Sequence, residues 1–348
     1  MIFLGETFSL SALFSAAQRA SRGKRRRASV ARFRLALEPE LVRLHDELLA
    51  ERWQPGRPFM FQMHDPKPRT ISVVPFRDRV VHQALGGLLD ARMNPRLIRD
   101  TYACRPGFGT HAALSRARAW ARTYRYWVRL DVMRFFPSID HDLLRAQWRR
   151  VLPEPWFRRL CDRILAASVC ERLVQHFPGD DLFTPGSRTV GLPLGSLTSQ
   201  LWANAYLDPV DHLIKDRLRH RPYLRYMDDL LLFHDERKQL VALARSVEEA
   251  CWGLRLRLHP WDVQPTADGT GFVGYRVGPG PTRVRRSSVR RAERRLARLV
   301  VEAHAGRVDA ETLWNSLRAT FAHWDHAAAW RLKGRLLRGL DLLWPEDR

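Results

Sequence analysis

The chain has few cysteines, no long apolar run and no internal repeat. Its four cysteines, Cys104, Cys161, Cys170 and Cys251, are far apart and form no C-x-x-C pair. This spacing argues against a zinc site or a disulfide framework and fits a reducing cytoplasm. No stretch is long and apolar enough to span a bilayer, so we expect no membrane partner. The apolar N-terminal segment lacks a positive start and carries Glu6, which favours an amphipathic helix over a signal peptide.

Acidic residues are scarce relative to basic ones. The 348 residues include 59 Lys+Arg against 37 Asp+Glu, which gives a formal net charge of +22 and a pI near 11.1. Arginine far outnumbers lysine, and this favours forked contacts to phosphates. Such a charge repels itself unless a polyanion neutralises it, so nucleic acid is the first partner to consider. Arginines that merely solvate the surface would explain the abundance, but they explain its clustering less well.

Three segments are candidates for nucleic-acid contact. A basic run lies between two amphipathic helical patterns, where a solvated tail and a phosphate-binding arm are both open readings. A glycine-containing loop precedes a helix at 101–114, and a very basic helical region begins near residue 283. The candidate contacts are Arg22, Lys24, Arg25, Arg26, Arg27, Arg105, Arg283, Arg285, Arg286 and Arg290.

Two adjacent carboxylates stand in the stretch RYMDDLLLF, residues 225–233. Strand-like residues lie on both sides, which predicts a tight β-hairpin with Asp228 and Asp229 at its tip. Asp is common in turns, so turn chemistry alone would explain an isolated pair. The outgoing strand is apolar on both faces, however, and a buried hairpin would need a partner or a metal for its charges.

A third carboxylate, Asp131, ends the strand-like run at 126–132. Adjacent strands of one sheet would bring it to Asp228 and Asp229. Three clustered carboxylates raise one another's pKa values unless cations neutralise them. Mg²⁺ prefers oxygen ligands and is typically held by a few carboxylates together with substrate phosphates. Two such ions, with Mn²⁺ as a substitute, can activate an attacking hydroxyl and stabilise a leaving pyrophosphate, which indicates nucleotidyl transfer.

The tetrapeptide Tyr226-Met227-Asp228-Asp229 resembles the signature of reverse transcriptases. Five further blocks occur in the order of that family: KPRTISVVPFRDR, YACRPGFGTHAAL, RLDVMRFFPSIDHDLL, GLPLGSLTSQLWANAYLD and FVGY. The resemblance covers roughly residues 20 to 340. It implies an α+β right-hand polymerase fold, with fingers, an antiparallel palm sheet with flanking helices, and a helical thumb. It also implies an RNA template, an RNA–DNA hybrid and deoxynucleoside triphosphates as partners.

Domain boundaries follow from this resemblance. We expect an N-terminal helical basic extension over 1–66, fingers over 67–125 and a basic helical thumb over 283–348. The palm would span 126–282, with a helical finger insertion at about 141–188.

The resemblance also implies residue roles. Asp131 and Asp228 would hold both Mg²⁺ ions, with Asp229 alongside and the Val132 main chain as an additional ligand. Arg69 would bind the incoming triphosphate, with Lys67 as a helper. Phe136 stands where the family places an aromatic ring under the sugar. Such a ring leaves no room for a 2′-hydroxyl, so the product would be DNA.

The block GLPLGSLTSQ narrows the resemblance to the reverse transcriptases of diversity-generating retroelements. Leu194 stands where most reverse transcriptases have Gln, and Ser199-Gln200 replaces a Ser-Pro. Leu194 and Gln200 are therefore candidate nucleotide contacts. Such enzymes copy a template-repeat RNA, misincorporate opposite adenines and so diversify a target gene. An apolar side chain cannot hydrogen-bond the nascent base pair, and lost polar discrimination relaxes selectivity.

Several further expectations depend on this resemblance. We expect a small basic accessory protein, single or oligomeric, that binds enzyme and RNA. We also expect a cytoplasmic protein encoded by a bacterium or a phage. One departure concerns Trp261 and Asp262, which replace lysines that relatives carry as an acid for the leaving group. His259 is the nearest alternative cation.

Two other readings remain open. One keeps the chemistry in a group II intron-type or phage-defence reverse transcriptase; against the intron type, only about 65 residues follow the palm. The other is a catalytically silent RNA-binding protein, which ranks lower because the carboxylates, Arg69 and Phe136 are all present.

Overall fold

The computed structural model describes residues 3–63, 69–168 and 174–340. The helices within those ranges are α1 (Leu4–Thr7), α2 (Leu10–Ser21), α3 (Ala28–Leu35), α4 (Leu37–Leu49), α5 (Phe76–Met93), α6 (Thr110–Thr123), α7 (Phe135–Ser138), α8 (His141–Val151), α9 (Pro155–Ala166), α10 (Thr184–Ser187), α11 (Leu197–Tyr206), α12 (Asp208–His212), α13 (Arg237–Gly253), α14 (Arg286–His304), α15 (Ala310–Trp324) and α16 (Trp330–Gly339). The strands are β1 (Phe59–Met63), β2 (Arg69–Val73), β3 (Tyr126–Asp131), β4 (Tyr223–Tyr226), β5 (Asp229–His234), β6 (Val263–Pro265), β7 (Thr270–Phe272), β8 (Tyr275–Val277) and β9 (Arg283–Val284). None of these helices is both long and apolar enough to cross a bilayer.

The largest sheet is antiparallel, with strand order β4–β5–β3–β6. Alternate side chains of a strand point to opposite faces, and here both faces are covered. Val128 and Leu130 of β3 belong to the main core, whereas Trp127 packs in a second cluster with Leu231 and Phe233 of β5. The apolar run of β5 is buried on both faces for this reason, and the sheet holds its carboxylates at one end.

The N-terminal helices and α5 form a helical layer beside this sheet. Helix α2 packs against α5, and α11 packs against α5 as well. Large side chains fill the shared core, among them the buried Trp53, Trp148 and Trp202. The indoles of Trp148 and Trp202 lie 4.9 Å apart between ring centres, so α8 and α11 are joined by direct aromatic packing.

A separate antiparallel hairpin is formed by β1 and β2. Its register pairs Phe59 with Val73 and Met63 with Arg69. The amide of Ser72 donates to the carbonyl of Leu194 at 3.3 Å, which ties this hairpin to the loop before α11.

The C-terminal region contains a three-stranded sheet, β7–β8–β9, followed by α14, α15 and α16. Val289, Leu296 and Val300 lie along one face of α14 and are buried, while arginines fill the other faces. They pack with Leu317 and Trp324 of α15 into a core of their own. The predicted boundaries at 66/67 and 282/283 fall between paired strands, β1 from β2 and β8 from β9, and the domain division stays a prediction.

Candidate active site

The acidic hairpin consists of β4 and β5 joined by a two-residue turn. Tyr226 pairs with Asp229 across the hairpin, so Met227 and Asp228 alone form the tip. The prediction of both carboxylates at the tip is therefore corrected: Asp229 is the first residue of β5. Met227 adopts φ of 59°, a left-handed conformation that costs a residue with a Cβ on the order of 1 kcal/mol. Surrounding contacts must hold this turn in place.

Asp131 lies directly opposite Asp229 in the β3–β5 register. Residues opposite one another in an antiparallel pair share a face, so both carboxylates lie on the same side of the sheet. The amide of Val132 donates to the carbonyl of Asp228 at 3.2 Å, which fixes the hairpin tip beside the end of β3. Asp131 precedes Asp228 by 97 residues in the sequence, and the pairing of β3 with β5 brings it beside Asp228 and Asp229 at one end of the sheet.

Arg129 is part of this cluster and was not among the sequence candidates. Its Nε donates to Asp229 Oδ1 at 2.6 Å, and its Nη2 lies 3.6 Å from Asp131 Oδ2. Burial opposes the charged form of Arg129, yet Asp229, Asp131 and Asp228 together raise the pKa of its guanidinium. Burial raises the pKa of Asp229 to about 6, while Arg129 acts in the opposite direction. Arg129 is thus an internal counter-ion for the carboxylates.

The donor set fits a divalent cation that is completed by substrate. No three His, Cys, Asp or Glu side chains in the described ranges already surround a common point. Mg²⁺, however, is often held by one or two carboxylates together with substrate phosphates rather than by an all-protein cage. The Asp131 side chain is 39% exposed, whereas Asp229 is 16% exposed and paired with Arg129. The exposure of Asp131 suits it to contact with a metal ion, and the roles of Asp228 and Asp229 as ligands stay predictions.

Arg225 anchors the hairpin from inside the protein. It is fully buried, and its guanidinium is paired with the equally buried Asp211. It also donates to the side-chain oxygen of Asn204 and, at 3.1 Å, to the carbonyl of Met227. Tyr223 and Thr101 also donate to Asp211, Tyr223 to Oδ1 and Thr101 to Oδ2. Met227 is therefore held in its left-handed conformation by a hydrogen-bond network that no local sequence pattern predicts.

Phe136 and Leu194 lie on connected segments near this edge. The amide of Leu192 donates to the carbonyl of Phe136 at 2.8 Å, and the carbonyl of Leu194 accepts from Ser72 of β2. The loop that carries Leu194 thus lies between α7 and the β1–β2 hairpin. Both Phe136 and Leu194 are half-buried. Gln200 is also half-buried, in the first turn of α11.

The predicted triphosphate contacts lie at the edge of the described residues. Arg69 is the first residue of β2, and only its main chain is described; Lys67 lies outside the described residues. The register places Arg69 opposite Met63, at the end of the hairpin where β1 ends and β2 begins.

The predicted nucleic-acid contacts separate into two groups. Exposed residues are Arg22, Lys24, Arg25, Arg26, Arg27, Arg283, Arg285, Arg286 and Arg290. Arg105 differs, because its guanidinium donates to Asn94 and to the carbonyls of Ile98 and Thr101 at 2.6–2.8 Å. Arg105 thus closes its own loop through Nε and Nη1, and its contact with nucleic acid stays a prediction.

The segment after α13 approaches Asp131 from the other side. The amide of His259 donates to the carbonyl of Asp131 at 2.8 Å, and the imidazole is exposed. Asp262, one of the two residues that replace expected lysines, pairs with Arg237 at 3.1 Å. Trp261 packs at the edge of the main core. The role of His259 in place of the expected lysines stays a prediction.

Comparison with known proteins identifies the family. Residues 62–277, more than half of the chain, match the model of the family described as reverse transcriptase (RNA-dependent DNA polymerase). The fold is similar to that of apo telomerase from Candida tropicalis, with a TM-score of 0.54 and 10% identity. That match covers 82% of this chain and 58% of the telomerase chain. The expected α+β right-hand polymerase fold is confirmed.

Two curated relatives are intron proteins of yeasts. One is an uncharacterized 91 kDa protein in the cob intron of Schizosaccharomyces pombe, 27% identical over 162 residues, which are 47% of this chain and 19% of the relative. The other is the putative COX1/OXI3 intron 1 protein of Saccharomyces cerevisiae, 25% identical over 162 residues, which are 45% of this chain and 18% of the relative. The match therefore spans about a fifth of each relative's length.

These relatives overturn one expectation. The prediction of a cytoplasmic protein encoded by a bacterium or a phage is wrong on this comparison, because the matched relatives come from yeasts and are encoded in introns. The comparisons show the reverse transcriptase family, but they do not show the diversity-generating type within it.

Proposed function

The chain belongs to the reverse transcriptase (RNA-dependent DNA polymerase) family, and we propose that it copies RNA into DNA at the palm edge formed by Asp131, Asp228 and Asp229. The observation that carries this proposal is the direct pairing of Asp131 with Asp229, with Asp228 in the turn beside them. Nucleotidyl transfer needs clustered carboxylates at a site open to substrate phosphates, and Asp131 meets the second condition by its exposure.

Each side chain has a separate task in this proposal. Asp131 and Asp228 hold divalent cations, Mg²⁺ or in its place Mn²⁺, and Arg129 keeps Asp229 charged and oriented. Ions bound there supply activation of the attacking hydroxyl and neutralise the leaving pyrophosphate. Arg69, with Lys67 as helper, receives the triphosphate. Phe136 excludes a 2′-hydroxyl from the sugar position, and its ring packs against Phe135 with ring centres 5.7 Å apart.

Template and hybrid are held by basic surfaces outside the carboxylate edge. The exposed run at 22–27 and the exposed Arg283, Arg285 and Arg286 at the start of the C-terminal helical region suit a phosphate backbone. A protein with a net charge of +22 gains most from such a partner, because the nucleic acid relieves its self-repulsion.

The relatives favour an intron-type RNA as the natural template. Both curated relatives named above are intron proteins, and their similarity supports the group II intron-type reading over a template repeat. Purified enzyme should therefore extend a primer on an intron RNA from its own genome more efficiently than on an unrelated RNA of equal length. Equal efficiency on the intron RNA and the unrelated RNA would contradict the intron-type template.

A second candidate is the error-prone copying of a template repeat. The observation in its favour is the apolar Leu194 on the loop between Phe136 and β2, where it cannot hydrogen-bond a nascent base pair. The small basic accessory protein, single or oligomeric, belongs to this candidate. Sequencing of the products would show excess errors opposite template adenines, and Leu194→Gln would reduce them. An unchanged error spectrum in Leu194→Gln would exclude this role for Leu194.

The polymerase assignment itself is tested with Asp228→Asn in primer extension on RNA. Loss of the cation's charge stabilisation costs several kcal/mol, so activity should fall by about 10³-fold or more. The matched control is Asp142→Asn on α8, whose side chain is 72% exposed and pairs with Arg145. Asp142→Asn should retain activity. An Asp228→Asn enzyme that is as active as this control would overturn the assignment.

A further inference from the structure

A pocket of about 80 Å³ lies between α8, the junction of α11 and α12, and the helical turn Asn94–Arg96 that follows α5. Its apolar wall consists of Met93, Leu97, Val151, Ala205 and Pro209. The three active-site carboxylates do not line it. A water molecule needs about 10–15 Å³ of such space, so the pocket has room for several waters or for one small organic molecule.

Three polar atoms of the pocket residues are buried and have no hydrogen-bond partner within the part of the chain that the structure describes. They are Trp148 Nε1, Gln147 Oε1 and Asp208 Oδ1. Folded proteins leave few polar atoms in this state, because each one has lost its hydration without a replacement. Three of them around one pocket therefore indicate a ligand that supplies the missing hydrogen bonds.

The neighbouring contacts determine which of these atoms donates and which accepts. Gln147 Nε2 donates to the carbonyl of Tyr206 at 3.2 Å, so the amide oxygen is the group left without a partner. The indole of Trp148 packs against Trp202 with 4.9 Å between ring centres, and Trp148 is only 2% exposed. An indole N–H can only donate. The pocket residues thus offer one donor from Trp148 and one acceptor from Gln147.

Asp208 adds a second acceptor. His212 Nε2 lies 3.3 Å from Asp208 Oδ1, but it donates its hydrogen to the carbonyl of Arg96 at 3.0 Å. Burial raises the pKa of Asp208 to about 6, so the carboxylate is ionised at neutral pH and accepts hydrogen bonds. Arg96 and Arg150 are exposed and also line the pocket. Their charges attract an anion, whereas the charge of Asp208 repels one.

A primary carboxamide matches this set of atoms. Its carbonyl oxygen can accept from Trp148, and its two N–H groups can donate to Gln147 and Asp208. A carboxylate has no hydrogen to donate and would face two acceptors. An ammonium group has no acceptor for the indole N–H. The apolar wall suits the carbon skeleton that carries the amide.

We propose that this pocket binds a small uncharged molecule through a primary carboxamide group. The amide meets the three unpartnered atoms, and the carbon skeleton packs against the apolar wall. This site is additional to the copying of RNA, and it does not rest on the proposed function, because the residues that form it are separate from the carboxylate edge.

The first test uses propionamide and propionate, which have the same carbon skeleton and differ in the head group. Each is titrated into the ¹⁵N-labelled full chain at neutral pH, and the indole N–H signals are followed by NMR. The Trp148 signal is identified by its loss in Trp148→Phe. We expect propionamide to shift this signal saturably, and propionate to bind at least about 10-fold more weakly, because it leaves both acceptors without a donor.

Two pairs of variants test the individual hydrogen bonds. Gln147→Leu removes an acceptor of the pocket, whereas Gln239→Leu removes an exposed amide on α13. We expect Gln147→Leu to weaken propionamide binding about 3- to 10-fold, the usual effect of one hydrogen bond, and Gln239→Leu to bind like wild type. Trp148→Phe removes the donor, whereas Trp202→Phe removes a buried indole N–H that also lacks a partner but does not line the pocket. Propionamide should raise the melting temperature of Trp202→Phe more than that of Trp148→Phe.

Three results would contradict this site, and none of the readouts depends on DNA synthesis. The absence of a saturable shift with propionamide would overturn the pocket as a binding site. Propionate that binds as tightly as propionamide would indicate an anion site at the two arginines and overturn the carboxamide assignment. Equal behaviour within both pairs of variants would show that the unpartnered atoms take no part. Thermal unfolding without ligand identifies the folded variants, and if one pair contains an unfolded member, the other pair decides.

Discussion

Arg225 Nη2 lies 2.6 Å from Asp211 Oδ2, and both side chains are completely shielded from solvent. The same guanidinium donates to the carbonyl of Met227, the left-handed residue of the acidic turn. Burying a charged pair of this kind costs free energy. Its replacement by well-packed apolar residues often leaves the stability of a protein unchanged or raises it. Stability alone is therefore a weak reason for its presence. Its position suggests that it holds the catalytic hairpin in shape.

This explanation predicts a separation of stability from activity. Arg225→Met leaves Asp211 buried without a counter-charge and should lower the free energy of unfolding by about 3–5 kcal/mol. The double variant Arg225→Met/Asp211→Leu should recover most of that loss, because no uncompensated charge remains. Primer extension should stay low in the double variant, since Met227 has lost its donor. Full activity in a stable double variant would show that the network is structural only.

Arg129 and Asp229 give a prediction about metal ions and stability. Arg129→Gln removes the counter-ion from a cluster of three carboxylates, so their repulsion should lower the melting temperature. Divalent cations should then stabilise the variant more than the wild type, because they replace the missing positive charge. The measurement is the rise in melting temperature on addition of Mg²⁺, compared between the two proteins. An equal rise would contradict the role of Arg129 as an internal counter-ion.

His82 predicts a pH dependence of stability. Its Nδ1 lies 2.8 Å from Ser196 Oγ and 3.1 Å from Thr198 Oγ1, and burial lowers its pKa to about 4. Between about pH 4 and the unfolded value near 6.5, the unfolded chain binds the extra proton, so stability rises with pH. This contribution is fully present above about pH 6.5 and is lost as the pH falls towards 4. Over the whole window it amounts to roughly 3 kcal/mol.

The measurement is urea unfolding of wild type and His82→Gln at about pH 5 and about pH 7.5. The difference in unfolding free energy between the two conditions should be smaller in His82→Gln. His304→Gln, an exposed position on α14, is the matched control and should behave like wild type. If His82→Gln kept the full pH dependence, other groups would be responsible for it.

Local sequence patterns predict the strands of the palm, but they do not predict all of the side-chain contacts that hold the acidic hairpin in place. The apolar strands and the placement of Asp131 beside the acidic pair follow from alternation and length, and the β3–β5 register agrees. Arg129 could have been found, because it stands two residues before Asp131 and so shares its face. The ion pair between Arg225 and Asp211 could not have been predicted, because a chain with this many charged residues offers each of them many alternative partners. The bonds from Arg105 to its own loop could not be predicted either, because they depend on the geometry of the loop and not on the charge of the side chain.

The contact between α5 and α11 depends on the absence of a side chain at Gly86. A Cβ there would lie 2.5 Å from Leu197 Cδ2 and 3.2 Å from its Cγ. Alanine in a helix is favoured over glycine by about 1 kcal/mol, but overpacking a core costs roughly 1–3 kcal/mol. We therefore expect Gly86→Ala to destabilise the protein in urea unfolding.

The neighbouring Gly87 provides the control, since it is exposed and a Cβ there would meet nothing within 4 Å. Gly87→Ala should stabilise the protein by up to about 1 kcal/mol, because helix propensity acts there without a clash. Adding Leu197→Ala to Gly86→Ala removes the obstructing atoms, so the two changes should be coupled in a double-mutant cycle. Additive effects would mean that Leu197 moves aside at little cost. Coupled effects would show that Leu197 limits how closely α11 approaches α5.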